Sequence, residues 1–227
     1  MRKITLFFLL TVLNTIWGFS QDFLTNSRSA EFFNDVAKMK FRESNANYQN
    51  IEGSPYFTSD FVKNELYFTT GDSLEISLRY DIYKDEVEFK NKDQILWLEK
   101  DNVKKIRMQN NILEIFNYKV GNKLLKGYFF CIKPGKNALY KKLSVTFLPA
   151  EQPKGYQDAR SAKFEKNDDE YYLKTTDSLF FKVTKKNDLE GNLLKNKQVE
   201  AYIKSSKLKV GKERDLIKLV DYINTLQ

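Results

Sequence analysis

The chain has 227 residues, a formal net charge of +8, a single cysteine and no histidine. Without histidine there is no His-containing triad, no imidazole base and no imidazole metal ligand. With Cys131 alone there is no internal disulfide, so stability must come from packing, and a 15% aromatic, 30% charged composition favours strands with a mixed-charge surface over disorder.

Met1-Arg2-Lys3 is a short basic start, and Ile4 to Phe19 is an apolar run closed by Gly18 and Ser20. This is the layout of a secretory signal peptide over residues 1–20, with cleavage expected after Ser20. The run is shorter than the roughly 20 apolar residues that a bilayer span requires, and no transmembrane span is expected after cleavage. Residues 21–53 form a poorly defined N-terminal segment. Within it, Phe32, Phe33, Val36 and Met39 have helical spacing and predict a short helix over Ala30 to Lys40.

Residues 54–184 form a β-rich body. Leu74, Ile76, Leu78, Tyr80 and Ile82 alternate with Glu75, Ser77, Arg79 and Asp81, the pattern of a half-buried strand. Thr69-Thr70-Gly71-Asp72-Ser73 precedes it as turn chemistry. Val87 and Phe89 continue the alternation beyond a turn at Lys84-Asp85. Further strands are expected at Gln94–Leu98, Val103–Met108, Ile112–Lys119, Gly127–Ile132, Leu139–Phe147, Tyr171–Lys174 and Leu179–Val183, with a long loop from Phe147 to Ser161. Short strands joined by tight turns predict antiparallel pairing. Residues 185–227 return to helical spacing. Val199, Tyr202 and Ile203 mark one stripe, and Leu216, Leu219, Val220, Ile223 and Leu226 mark another, with Glu213 and Asp215 in the first turn. Asn187-Asp188 is read as the N-cap of a further helix through Leu194. The fold class is therefore α+β: an antiparallel β-meander sheet or roll of about 8–10 strands, followed by two or three C-terminal helices packed on it.

No catalytic, cofactor-binding or metal-ligating residue is assigned, and no cofactor is expected. The motifs of phosphate-binding loops, dinucleotide folds, serine hydrolases and zincins are all lacking. The residues singled out as ligand-facing are Arg79, Asp81, Glu88 and Lys90. With a two-residue loop at Lys84-Asp85, Asp81 would face Glu88 and Arg79 would face Lys90 across the strand pair. Two facing acids could serve glycoside hydrolysis, but the expectation is a charge-balanced, solvent-facing surface whose exposure leaves the two acids alike. Asn167-Asp168-Asp169-Glu170 lacks the spacing of a calcium loop and reads as a polar turn. Lys133-Pro134-Gly135-Lys136 suits either a hairpin turn or a backbone nest for an anion. Cys131, in an apolar run, reads as a small buried hydrophobe. Paired aromatics such as Tyr171-Tyr172 and Phe180-Phe181 put rings on both faces of a strand, which calls for a second buried layer.

From Lys185 onward ten basic residues outnumber six acidic ones. The expected setting is a solvated lysine-rich face, with anionic lipid or glycan ahead of nucleic acid as partner. Gly53-Ser54-Pro55-Tyr56, the stretch Leu78 to Phe89 and the segment Asp215 to Asn224 resemble a group of exported proteins of unknown function from Bacteroidota-type bacteria. That resemblance implies an envelope or periplasmic setting and no particular activity. The functional expectation is an exported, non-catalytic binding or structural protein of the bacterial cell envelope, periplasmic, associated with the outer membrane, or secreted. Its partner would be an envelope protein, a glycan or an anionic lipid, with no nucleic acid. The alternatives are a carboxylate-dependent enzyme on envelope carbohydrate, or a peripheral binder of anionic lipid or lipopolysaccharide through the C-terminal lysines.

Overall fold

The computed structural model describes residues 42–44, 48–91, 94–152, 159–177, 179–189, 193 and 196–226. All of them lie in one unit, Phe41–Gln227. The signal-peptide segment and the helix expected over Ala30 to Lys40 lie outside the described residues.

Among the described residues thirteen strands run in chain order: β1 (Arg42–Glu43), β2 (Val62–Phe68), β3 (Ser73–Asp81), β4 (Glu86–Asn91), β5 (Gln94–Trp97), β6 (Val103–Met108), β7 (Asn111–Val120), β8 (Lys123–Lys133), β9 (Ala138–Lys142), β10 (Val145–Leu148), β11 (Lys163–Lys166), β12 (Glu170–Lys174) and β13 (Phe180–Val183). Two helices follow, α1 (Lys197–Ser205) and α2 (Glu213–Thr225). Eleven strands form one sheet in the order β1-β5-β4-β3-β2-β6-β7-β8-β9-β12-β13, with β10 and β11 paired separately. Every strand pairing is antiparallel. The sheet is two meanders joined where β6 returns beside β2. It matches the expected α+β arrangement with helices at the C-terminal end.

The strand total exceeds expectation through one expected strand that divides in two and two short strands, β1 and β11, that the alternation does not mark. Leu139–Phe147 divides into β9 and β10, and Lys163–Lys166, which the alternation did not mark, pairs with β10. At Gly71, the β2–β3 turn takes φ +102°, a value glycine adopts without strain.

The apolar alternation of β3 is honoured. Leu78, Tyr80 and Ile82 are buried, together with Val87 and Phe89 from β4, Leu66 from β2 and Ile106 from β6. The same sheet face continues to β9, β12 and β13, where Leu139, Leu173 and Val183 meet Val199 and Ile203 of α1 and Leu216, Leu219, Val220 and Ile223 of α2. Both helix stripes are thus docked, as helices of this length require for stability. Asn196 caps α1, accepting the Gln198 amide at 2.9 Å. The helix expected from Asn187 is a 3₁₀ turn over Lys186–Leu189 among the described residues. There Asp188 accepts the amides of Thr184 and Lys185 at 2.6 and 2.9 Å.

Beyond β7 the sheet curls until β13 approaches β7. On the side away from the helices, Phe180 stacks on Phe116 at 4.3 Å and meets Phe129 at 4.9 Å and Tyr172 at 5.3 Å. This is the second aromatic layer the doubled rings called for. Cys131 sits half-buried at its margin, and burial pushes its thiol up to about 11, which leaves it an unreactive side chain.

Candidate functional site

The ligand-facing residues expected from the sequence lie on the face of β3 and β4 opposite the apolar core, and their pairing differs from expectation. The loop is four residues, Ile82 to Asp85, with Asp85 at φ +56°. Arg79 therefore faces Glu88, and Asp81 faces Glu86. The ladder is displaced by two residues, one full strand period, so every side chain keeps its face while its partner changes. Asp81 and Glu88 are not opposite each other, and Arg79 is not opposite Lys90.

Expected solvent exposure is overturned. Asp81 and Glu88 are 0% exposed. The segment from Tyr48 to Phe61 folds back over this face, held by backbone hydrogen bonds from Phe57 N to Tyr80 O at 2.9 Å and from Ile82 N to Pro55 O at 2.8 Å. Glu88 Oε2 accepts Arg79 Nη2 at 2.7 Å and Nε at 3.0 Å. Its other oxygen accepts Ser44 Oγ at 2.6 Å and Trp97 Nε1 at 3.3 Å. The Arg79 guanidinium lies 3.8 Å from the Tyr56 ring centroid and 4.3 Å from that of Phe61, a cation–π arrangement. Asp81 accepts Tyr48 OH at 2.7 Å and the Lys84 amide at 2.9 Å. Lys90 alone of the four stays exposed, its amine 4.8 Å from the Phe61 centroid.

The electrostatics follow from that burial. Loss of water raises the Asp81 pKa, opposed by the Lys84 amide and the Tyr48 hydroxyl. Burial, with Asp81 beside it, drives Tyr48 well above its ordinary value, and burial near Glu88 takes Tyr56 up to about 12. Each carboxylate of the facing-acid hypothesis is buried, Glu88 with four protein donors and Asp81 with two. The arrangement binds the covering segment to the sheet and offers no carboxylate to a sugar.

An open pocket of about 680 Å³ lies elsewhere, beside the β11–β12 turn, with Glu165, Asp168, Asp169, Glu170, Lys166 and Lys182 on its walls. Its charges largely answer one another. Lys182 pairs with Glu170 at 2.6 Å, and Lys141 and Lys166 approach Asp169 at 3.4 and 3.6 Å. The Asn167 side chain donates to Ser144 Oγ at 3.1 Å and accepts from Thr146 Oγ1 at 3.0 Å, which makes the stretch a tied-down polar turn. Among the described residues no group of three acids or cysteines is placed to hold a metal ion. The Lys133–Lys136 turn is likewise a hairpin turn: the Asn224 side chain of α2 accepts the Asn137 amide and donates to its carbonyl, both at 2.9 Å.

One charged cluster escaped the sequence reading. Lys142, 8% exposed, pairs with Asp85 at 3.0 Å, and its amine lies 5.0 Å from the Tyr118 centroid and 4.9 Å from that of Phe129. Asp85 also accepts Tyr80 OH at 2.7 Å. Burial lowers the Lys142 pKa against the pull of Asp85. A Cβ at Gly127 would stand 2.6 Å from Asp85 Oδ2 and 2.9 Å from Lys142 Nζ, so the missing side chain makes room for the pair. Neither Lys141-Lys142 nor a turn aspartate signals such a pair, because its members come from different hairpins.

No family model, curated protein or solved structure matches the chain.

Proposed function

We propose that the protein is an exported, non-catalytic binding protein of the bacterial cell envelope. The observation that carries the non-catalytic part is the closure of the Arg79–Glu88 and Asp81–Tyr48 network under residues 48–61. An acid–base pair needs one carboxyl that reaches substrate and a second with a contrasting environment. Here both acids are spent on structural donors. The export part rests on the basic start, the apolar run and the small residues before Gln21. No described helix is long and apolar enough to cross a membrane.

The test is expression of the full tagged chain in a bacterium with an outer membrane, followed by fractionation and intact-mass measurement. The expected species begins at Gln21 and leaves the cytoplasm; a chain retained there with Met1–Ser20 attached overturns export. Incubating the recovered protein with peptidoglycan and lipopolysaccharide should release no reducing ends. Sugar release that disappears in Glu88→Gln overturns the non-catalytic reading.

A further inference from the structure

Hydrophobic side chains are distributed unevenly over the surface. Among the described residues five large hydrophobics are exposed, and three of them, Val120 at 54%, Leu124 at 66% and Leu125 at 41%, sit at the end of the β7–β8 hairpin. That end is a free two-stranded ribbon. Strand β6 pairs with β7 only as far as Glu114, and β9 pairs with β8 only from Phe130. The β7–β8 ladder continues past both, through Tyr118↔Leu125 and Lys119↔Leu124 to Val120↔Lys123. Lys126 is tied to Asp101 on the body. Among the described residues neither Lys119 nor Lys123 has an ion-pair partner. The sequence holds no Asp or Glu between Glu114 and Glu151.

We propose that this hairpin end is a lipid-contacting tip that seats on a bilayer surface carrying anionic phospholipid. Three features select a membrane over a protein partner. First, successive cross-strand pairs alternate faces, so Leu124 and Lys119 lie on one side of the ribbon while Val120, Lys123 and Leu125 lie on the other. A protein groove would cover one side; the bilayer interface surrounds a tip and accepts apolar groups on both. Second, lysines stand among the aliphatic residues, where their stems can lie along apolar surface while the ammonium groups reach lipid phosphates. Third, the ribbon from the Tyr118↔Leu125 pair to the turn is about 10 Å long, comparable to the roughly 5–10 Å depth of the headgroup and upper acyl region. Of the C-terminal lysines, Lys186 and Lys204 answer Glu200; the tip differs from that region in setting its lysines among exposed aliphatic side chains. The proposal takes its envelope setting from the proposed function and its chemistry from the hairpin alone.

The deciding experiment is sedimentation of the full chain, as the exporting cell releases it, with vesicles of phosphatidylglycerol mixed with phosphatidylcholine and with vesicles of phosphatidylcholine alone. Binding is expected to the first, weak binding to the second, and loss of binding as salt rises. Leu124→Asp should weaken binding at least tenfold, and Lys119→Gln by about fivefold, with unchanged thermal melting. Leu124→Trp should show a fluorescence blue shift when phosphatidylglycerol vesicles are added. Wild-type protein that ignores these vesicles, or Leu124→Asp that binds as wild type does, overturns the proposal. So does a variant that dissolves a dimer while leaving vesicle binding intact, because the tip would then join two copies of the chain. Intact mass reports export independently, so failure here and failure of the envelope reading are separable.

Discussion

The β3–β4 and β7–β8 hairpins invert each other. In the first, the charged face is sealed from water, with Glu88 and Asp81 0% exposed beneath Tyr48, Tyr56 and Phe61. In the second, the apolar end stands in solvent, with Leu124 66% exposed. Residue type alone would assign the reverse. The difference lies in what each hairpin has beside it. β3 and β4 are central strands with a returning segment above them, whereas among the described residues the end of β7–β8 beyond Glu114 and Phe130 is hydrogen-bonded to no strand on either edge. A buried charge demands a full set of partners, and the first hairpin supplies them. An exposed apolar cluster that nothing covers is the kind of surface that meets a partner or a membrane.

The sharpest way to break this comparison is to unpair the sealed face. Glu88→Ala leaves the Arg79 guanidinium between two rings without its carboxylate, and a loss of about 3–5 kcal/mol is expected in urea unfolding. A loss below about 1 kcal/mol would mean that the pair behaves as a solvated surface bridge, and the contrast between the hairpins would vanish.

A smaller effect is expected where the two hairpins meet. Gly127→Ala places a methyl group against Asp85, Lys142 and Tyr118, and overpacking of this kind costs about 1–3 kcal/mol. Denaturation of this variant alone and combined with Lys142→Met separates the causes. If the displaced Asp85–Lys142 pair is the cause, the double variant should lose less than the sum of the two single losses.

The smallest effect concerns pH. The native Asp81 pKa is raised, chiefly by burial, so between the ordinary carboxylate range and the raised value the folded protein holds a proton that the unfolded chain releases. The contribution of Asp81 is therefore most favourable at acid pH and falls as pH rises through that window. Asp81→Asn cannot titrate, so its stability relative to wild type should increase with pH across the same interval. A relative stability that decreases instead would show that Tyr48 and the Lys84 amide outweigh the loss of water.

The strand phase was legible because periodicity two is a local property: Leu78 and Tyr80 had to share a face, and they do. The helix stripes were legible for the same reason, and Leu216, Leu219, Val220 and Ile223 all reach the sheet. The pairing of Arg79 was not legible. A four-residue loop and a two-residue loop preserve the same alternation, so the pattern could not distinguish Glu88 from Lys90 as its partner. The candidate site residues were thus found on the expected strands and face, but with the wrong neighbours and, Lys90 apart, the wrong exposure.

Taken alone, the sequence determined which side of β3 and β4 is apolar, where α1 and α2 lie and which chemistries lack their residues. Tertiary structure decided which faces are wet. Tyr48 reaches Asp81 from 33 residues away, and Ser44 reaches Glu88 from 44. Local alternation carries no information about such distant cover. The free end of β7–β8 is the same case in reverse: its leucines look like core in the sequence and are exposed where, among the described residues, no other strand pairs with the hairpin.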